Sequence, residues 1–411
     1  MKTVLHIAAH MGGGVGKVLS GLAIEKNTGW EHKILLLEKP LDTQYTDRCD
    51  KHGVDLRIAP RAAEIEWAAG LADVVQFDWW NHPLMAKVMY NLRNVPMRSV
   101  IWSHTAGCHY PYINPGFVAL PDKFVFSTRY SFENPHWNEF DKQKVRGAAV
   151  VNSSGGFDDT RSVALKQHEG FNVGYVGTLG YVKLRPDFIA YCKAVSDIPG
   201  IKFVMIGRIP EPNLVLRDAI KAGIDDKFVF KGWVDNLPAE LAQLDVLGYL
   251  LNPNHFGTTE NAMLEAMSMG IPPVCINQCA EKYLIQDGES GILVDNAIEY
   301  VSAIRTLYTS KPGRKYFGAR ARDYVMRNLN IFNTVFKLNA VYSEVMRKEK
   351  RCVDFANMGS TPYDWYCSGL PPFSPMEPNT VSKYLVDNTK SSVAQWKKYY
   401  PEDEVLAKVT G

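Results

Sequence analysis

The stretch HFGTTENAMLEAMSMGIPPV, beginning at His255, sets a carboxylate, Glu265, inside the apolar run Ala262, Met263, Leu264, Ala266 and Met267. At helical spacing Asn261, Glu265 and Ser268 share one polar stripe, and Met263, Ala266, Met267 and Gly270 occupy the rest. An acid on a helix otherwise suited to burial is costly unless it accepts hydrogen bonds. The hydroxyls of a ribose supply such donors. The N–H groups of Thr258, Thr259, Glu260 and Asn261, at the positive end of the helix dipole, suit the adjoining phosphates. The pattern predicts a helix that starts near Thr259 under a threonine cap and reads both parts of a nucleoside diphosphate.

Three further stretches place reactive types just after apolar runs. VGTLGYVKLRPDF brings Lys183 and Arg185 near a helix start, where cations clamp a diphosphate through charge-assisted hydrogen bonds; a solvated helix start accounts for them as well. HMGGGVGKVL is neither a Walker loop nor a dinucleotide fingerprint. Met11 stands where a first glycine is required, Val18 where Ser or Thr must follow Lys17, and Lys17 itself at the third glycine position. What remains is a glycine-rich turn into a helix, able to bring backbone N–H groups near an anion. In SVIWSHTAGCHYP, His104 ends an apolar strand, where packing or capping is as ready an explanation as chemistry. His82, His109 and His136 have no spacing that singles them out.

These residues need elements to position them. Across 411 residues, 46% hydrophobic and 22% charged, short apolar runs alternate with stretches of helical period, the pattern of parallel sheets covered by helices. KTVLHIAA, HKILLLE, DVVQFD, RSVIWSH, KFVFST and GAAVVNSS form a first set of strands. NVGYVGT, KFVMIG, KFVFKGWV, DVLGYLL, PPVCIN and GILV form a second, and the polar residues 158–170 between them suggest a hinge. After about residue 300 three helices follow. STPYDWYCSGLPPFSPMEP then reads as irregular chain over a surface, and NTVSKYLVDNTKSSVAQWKKYY as one more amphipathic helix. The net charge of +2 carries no footprint for nucleic acid. Seven scattered cysteines lack zinc-site spacing and read as reduced thiols, and the apolar start is too short for a signal peptide or a membrane span. The expectation is a cytoplasmic protein with no integral membrane segment. The basic run MRKEKR is compatible with peripheral attachment at the inner face of a membrane, though a solvated helix end explains it more simply.

ENAMLEAMSMGIPPV followed by AEKYLIQDGESGILV resembles the donor-nucleotide signature of retaining GT-B glycosyltransferases of family four, closely over roughly residues 170–300 and more loosely before. The resemblance implies an α/β fold of two doubly wound, Rossmann-like parallel-sheet domains facing each other across a cleft. An acceptor-side domain would span 1–160 and a donor domain 161–330. Residues 331–411 would be helices and a tail packing back on the first domain. It assigns Glu265 to the ribose, with Thr258, Thr259, Asn261 and Ala262 around the donor. Lys183 falls at the diphosphate, Gly13, Gly14, Val15 and Gly16 lie beneath it, His104 is placed at the donor sugar, and Gly232, Trp233 and Val234 flank the base. Two positions depart from the family pattern. Gly257 stands where a first glutamate is expected, with Glu260 or His255 as substitutes. Thr178 stands where an arginine is expected, with Arg185 or Arg208 to supply the cation. His104, Lys183 and Glu260 are then the candidate catalytic residues.

The activity implied is transfer of a sugar from a UDP- or GDP-linked donor to a saccharide, lipid-linked glycan or other hydroxyl acceptor. It would proceed with retention and with no metal or cofactor beyond the nucleotide sugar. A sugar-nucleotide epimerase of the same fold, or a non-catalytic nucleotide-sugar-binding partner protein, are the alternatives. The aromatic and asparagine-rich FDWWNHP, CHYPYINP and STRYSFENPHW would line the acceptor side.

Overall fold

A computed structural model describes residues 1–26, 28–160, 162–255, 257–381 and 391–409. The chain forms two compact units. Met1–Gly155 is joined by Ile331–Gly411 and by residues 257 and 258 in the first, and Gly156–His255 and Thr259–Asn330 make up the second.

In the first unit β1 (Lys2–Ala8), β2 (Trp30–Leu36), β3 (Asp55–Ile58), β4 (Val74–Trp79), β5 (Ser99–Ser103), β6 (Lys123–Phe126) and β7 (Ala149–Val150) form one parallel sheet in the order β3-β2-β1-β4-β5-β6-β7. The near-continuous apolar runs are buried on both faces. Val4, Ile34, Val74, Val100 and Val125 point to one side, where they meet Leu338, Val341 and Tyr342 of the helix Ile331–Val345. Leu5, Leu35, Val75, Phe77 and Ile101 point to the other. β3 (DLRI) was not expected. It is a mostly exposed edge strand and lacks the apolar run that marks a strand covered on both sides.

The C-terminal segment corrects two expectations. Residues 362–368 are not irregular surface chain. They form the helix Pro362–Ser368, whose Trp365, Tyr366 and Cys367 are buried in the same core as Phe77 and Ile101. Nor is the stretch from Asn379 one helix. Ser391 has a left-handed φ of 68° and Ser392 caps a separate helix, Val393–Tyr399; residues 382–390 lie outside the described residues.

In the second unit β8 (Phe171–Val176), β9 (Ile201–Ile206), β10 (Phe228–Gly232), β11 (Val246–Tyr249), β12 (Pro273–Ile276) and β13 (Ile292–Val294) follow the order β10-β9-β8-β11-β12-β13. All six expected strands form. In each sheet the chain steps outward on one side and then returns to the other side of its first strand. The topological switch points therefore lie between β1 and β4 and between β8 and β11, where doubly wound sheets bind ligands beyond their strand ends. Among the described residues no helix is long and apolar enough to cross a membrane.

Two glycines let the ends of β8 and β9 close up. Gly207 has φ 128°, and a Cβ there would stand 2.1 Å from the carbonyl oxygen of Gly177, a backbone atom that no rotamer change can move aside. Gly207→Ala should lower stability by about 1–3 kcal/mol or more in chemical denaturation. An unchanged midpoint would show that this approach is not a constraint.

Candidate functional site

The loops after β8 and β11 are stitched together by backbone hydrogen bonds. Arg185 N–H donates to the Leu250 carbonyl at 3.1 Å and Asn252 N–H to that of Lys183 at 2.8 Å. This places Lys183, from the first loop, against Glu260, from the second. The ammonium lies 2.9 and 2.8 Å from the two carboxylate oxygens, and the Tyr249 hydroxyl donates to Oε2 at 2.7 Å. On the other side His255 Nδ1 is 3.6 Å from Glu260 Oε1, while its Nε2 lies 3.0 Å from Glu281 Oε1. The result is a chain of alternating charge, Lys183, Glu260, His255 and Glu281, of which the last three are buried.

Burial alone would push Glu260 toward its neutral form, but Lys183 and His255 outweigh it and hold the carboxyl well below the usual range. Burial likewise opposes charge on His255, and Glu281 overcomes it, pushing the imidazole up to about 9. His255, Cys279 and Glu281 each offer a ligand atom within 4.8 Å of the others, types that hold a divalent metal, though His255 and Glu281 already satisfy each other as an ion pair.

The inward pull on Glu260 sets the local backbone. Its φ of 41° and ψ of 58° are left-handed, unusual for a residue with a side chain. Its carbonyl accepts from Met263 and Leu264, so the helix is Asn261–Ser268 with Glu260 as its N-cap and no side-chain cap. This corrects the expected threonine cap: the carboxylate is spent on Lys183 and Tyr249, and the chain turns at Glu260 instead of Thr259. Thr258 and Thr259 are buried, with Gly257 before them along the chain. Ala262 packs on the core. Glu265 is half-buried. The polar stripe it shares turns inward at Ser268, whose hydroxyl is fully buried and pairs with Thr160 at 2.7 Å.

The other candidates from the second unit divide. Arg185 is tied to Asp187 and stacks over Tyr191 at 4.4 Å, which leaves it a structural use. Arg208, exposed at the end of β9, pairs with no described residue, and its carbonyl accepts from Leu179 in the loop that carries Lys183. Thr178 is exposed. At the end of β10 Gly232 turns with φ 68°; beyond it Trp233 is 76% exposed and Val234 packs against the core.

In the first unit Gly13, Gly14, Val15 and Gly16 are not a free loop but the first turn of the helix Gly13–Ile24. A Cβ on Gly16 would meet the Met11 carbonyl at 1.9 Å, so the turn needs glycine there. The His104 side chain is 3% exposed and uses both ring nitrogens internally, with Nε2 3.1 Å from Asp78 Oδ1 and Nδ1 2.9 Å from the Ser153 hydroxyl. Asp78 also faces His6 at 3.5 Å, and His6 pairs with His32 at 2.8 Å. Burial would raise the Asp78 carboxyl, but hydrogen bonds from His104 and His6 lower it; burial and the neighbouring His6 hold His32 down to about 3. Sequence reasoning passed over Asp78, Tyr249 and Glu281. Only Asp78 left a signal, an acid and Gln76 on one face of a wholly buried strand.

Comparisons with known proteins fit this geometry. Residues 170–310 match the family model described as glycosyl transferases group 1. The matched segment holds β8 to β13 with Lys183, Glu260 and Glu265. The chain is 26% identical over 163 residues to N-acetyl-alpha-D-glucosaminyl L-malate synthase of Bacillus anthracis, covering 39% of this chain and 42% of that protein. It is 35% identical over 106 residues, 24% of each chain, to 2-deoxystreptamine N-acetyl-D-glucosaminyltransferase of Streptomyces fradiae. The matches thus span less than half the length of these curated relatives. Among solved structures, Anabaena Alr3699/HepE in complex with UDP aligns with 84% of this chain and 100% of its own at a TM-score of 0.66 and 13% identity. That likeness shows the fold: α/β, with the two Rossmann-like domains of the GT-B class.

The pH dependence of the charge chain follows in sign. The folded pKa of His255 lies above its ordinary 6.5, so its pairing stabilises fully below pH 6.5, and that contribution is lost as pH rises through about 9. Denaturation midpoints should fall across this window and fall less steeply in His255→Gln. Identical slopes would contradict the ion pair.

Proposed function

We propose that the chain is a glycosyltransferase that moves a sugar from a UDP-linked donor to a hydroxyl acceptor with retention of configuration. The observation that carries this reading is the Lys183–Glu260 pair at the switch point of the second unit, beside the N-terminus of the helix Asn261–Ser268. As the bond from sugar to diphosphate breaks, negative charge grows on the leaving phosphate, and fixed positive groups lower the barrier most when they are already in place. Lys183 is held by Glu260 at the edge of the buried cluster, its side chain 26% exposed. Arg208 takes the place of the arginine missing at Thr178, and the helix N-terminus adds backbone N–H groups. These groups, rather than a metal ion, supply the counter-charge in this reading.

Glu265 accepts the ribose hydroxyls and Trp233 stacks on the base. Glu260 acts through Lys183 as a positioning residue, since its carboxylate is closed off by Lys183, Tyr249 and His255. The same closure denies it the part of a nucleophile, which favours attack by the acceptor on the face the diphosphate leaves, with a departing phosphate oxygen taking the acceptor's proton. His104 fixes the end of β5 against Asp78 and Ser153 instead of reaching the sugar with a free ring nitrogen. The UDP in the structurally similar Anabaena protein supports the choice of base. The curated relatives, named for transfer to L-malate or 2-deoxystreptamine, support a hydroxyl acceptor. We place the reaction in the cytoplasm, where sugar nucleotides are available.

A thermal-shift screen with UDP, GDP, ADP and TDP tests the donor assignment. UDP at 100 times its dissociation constant should stabilise the wild type by about 2.7 kcal/mol, and Glu265→Ala should lose most of that response. No shift with any nucleotide, or an unchanged shift in Glu265→Ala, would remove the ribose from Glu265.

A further inference from the structure

β3 closes the first unit's sheet on the side away from β7, and its outer edge pairs with no strand among the described residues. The direction of its backbone groups follows from its inner partner. Ala59 N–H donates to the Leu36 carbonyl at 2.7 Å and Leu36 stands opposite Ile58, so Asp55 and Arg57 turn their N–H and C=O groups toward β2. Those of Leu56 and Ile58 therefore point outward, away from the sheet. The side chains of Asp55 and Arg57 lie on the face that carries the helix Ala62–Leu71, where they border a groove of about 140 Å³. Trp67 and Leu71 of that helix line the same groove and are 65% and 64% exposed.

An open strand edge flanked by exposed tryptophan and leucine is a template for another chain, and the order of charges along this one complements itself. When two copies lie antiparallel with Leu56 opposite its own mate, the two Leu56 residues exchange both N–H···O=C bonds across a two-fold axis. Asp55 then faces Arg57 of the second copy, and Arg57 faces Asp55, in the closely spaced positions of the ladder, with Cα atoms about 4.5 Å apart. Centring the pair on Arg57 instead sets two guanidinium groups against each other, so charge selects the register. Within the chain Arg57 reaches Asp55 only at 3.6 Å, and its side chain is 57% exposed. A ladder of four residues is too small to hold two chains by itself, and Trp67 and Leu71, on the same face as the charges, supply apolar area beside it. We propose that β3 is a self-pairing edge through which two copies of the chain join their seven-stranded sheets into one, locked by reciprocal Asp55–Arg57 pairs. An unrelated strand has no need to carry this reciprocal order of acid and base. β2 and β1 separate the joined edge from the switch point beside β4, so the proposal stands apart from the transferase reading.

Sedimentation velocity on the full chain over a range of concentrations tests the edge, and wild type should show a monomer–dimer equilibrium. Asp55→Arg and Arg57→Asp each bring like charges together at both symmetry-related positions and should weaken the dimer about tenfold. The two changes together restore opposite charges in reversed order and should return the dimer to near wild-type strength. Circular dichroism melting on each variant confirms the fold. Hydrogen exchange on the wild type gives a reading that needs no variant: the Leu56 amide, open to water in the monomer, should exchange more slowly as the concentration rises through the dissociation constant. A chain that stays monomeric at every concentration overturns the proposal. So does a dimer that the single changes leave intact, one that the double change does not restore, or one whose Leu56 amide exchanges at the same rate at every concentration, since each puts the contact on another face.

Discussion

A carboxylate shut away from water stays ionised only if positive groups and hydrogen-bond donors surround it, and Glu260 meets that demand with Lys183, Tyr249 and His255. Much of the second unit's local structure follows. Satisfying the carboxylate draws the loop after β11 onto the loop after β8 and forces a left-handed turn. It also starts the helix at Asn261, where the backbone N–H groups and the ammonium come to the same strand ends. His255 would be an unmatched charge beside Glu260 and Lys183 without Glu281, so the chain of four alternating charges is complete only as a whole.

The first unit answers the same problem with different residues. Asp78 sits on β4, beside the switch point, and is matched by His104 and His6, with Gln76 and Tyr342 extending the network into the core. In both units a buried acid braces the strand ends where a doubly wound sheet binds its ligand, and in both the acid supports neighbours instead of facing outward.

The strands were legible because each is an apolar run buried on two faces, a pattern that needs no tertiary information. β3 was not, because an exposed edge strand carries no such run. The pairing of Lys183 with Glu260 was invisible, since residues 77 positions apart meet only through sheet order, yet Glu260 could be picked out as the acid nearest the missing one at Gly257. The partner of Arg185 is local: Asp187, two residues on, takes its guanidinium. Trp365 and Tyr366 lay in a proline-rich stretch whose composition suggests surface chain, and only the fold shows that they complete a core.

The most direct test of the central interaction is a double-mutant cycle on Lys183→Met and Glu260→Gln, read by chemical denaturation. If the two act as one unit, each single change strands a buried partner. The double variant should then lose less than the sum of the singles by about 1–3 kcal/mol. Additive losses would mean that the lysine and the carboxylate stand independently and that the donor loops are held by something else.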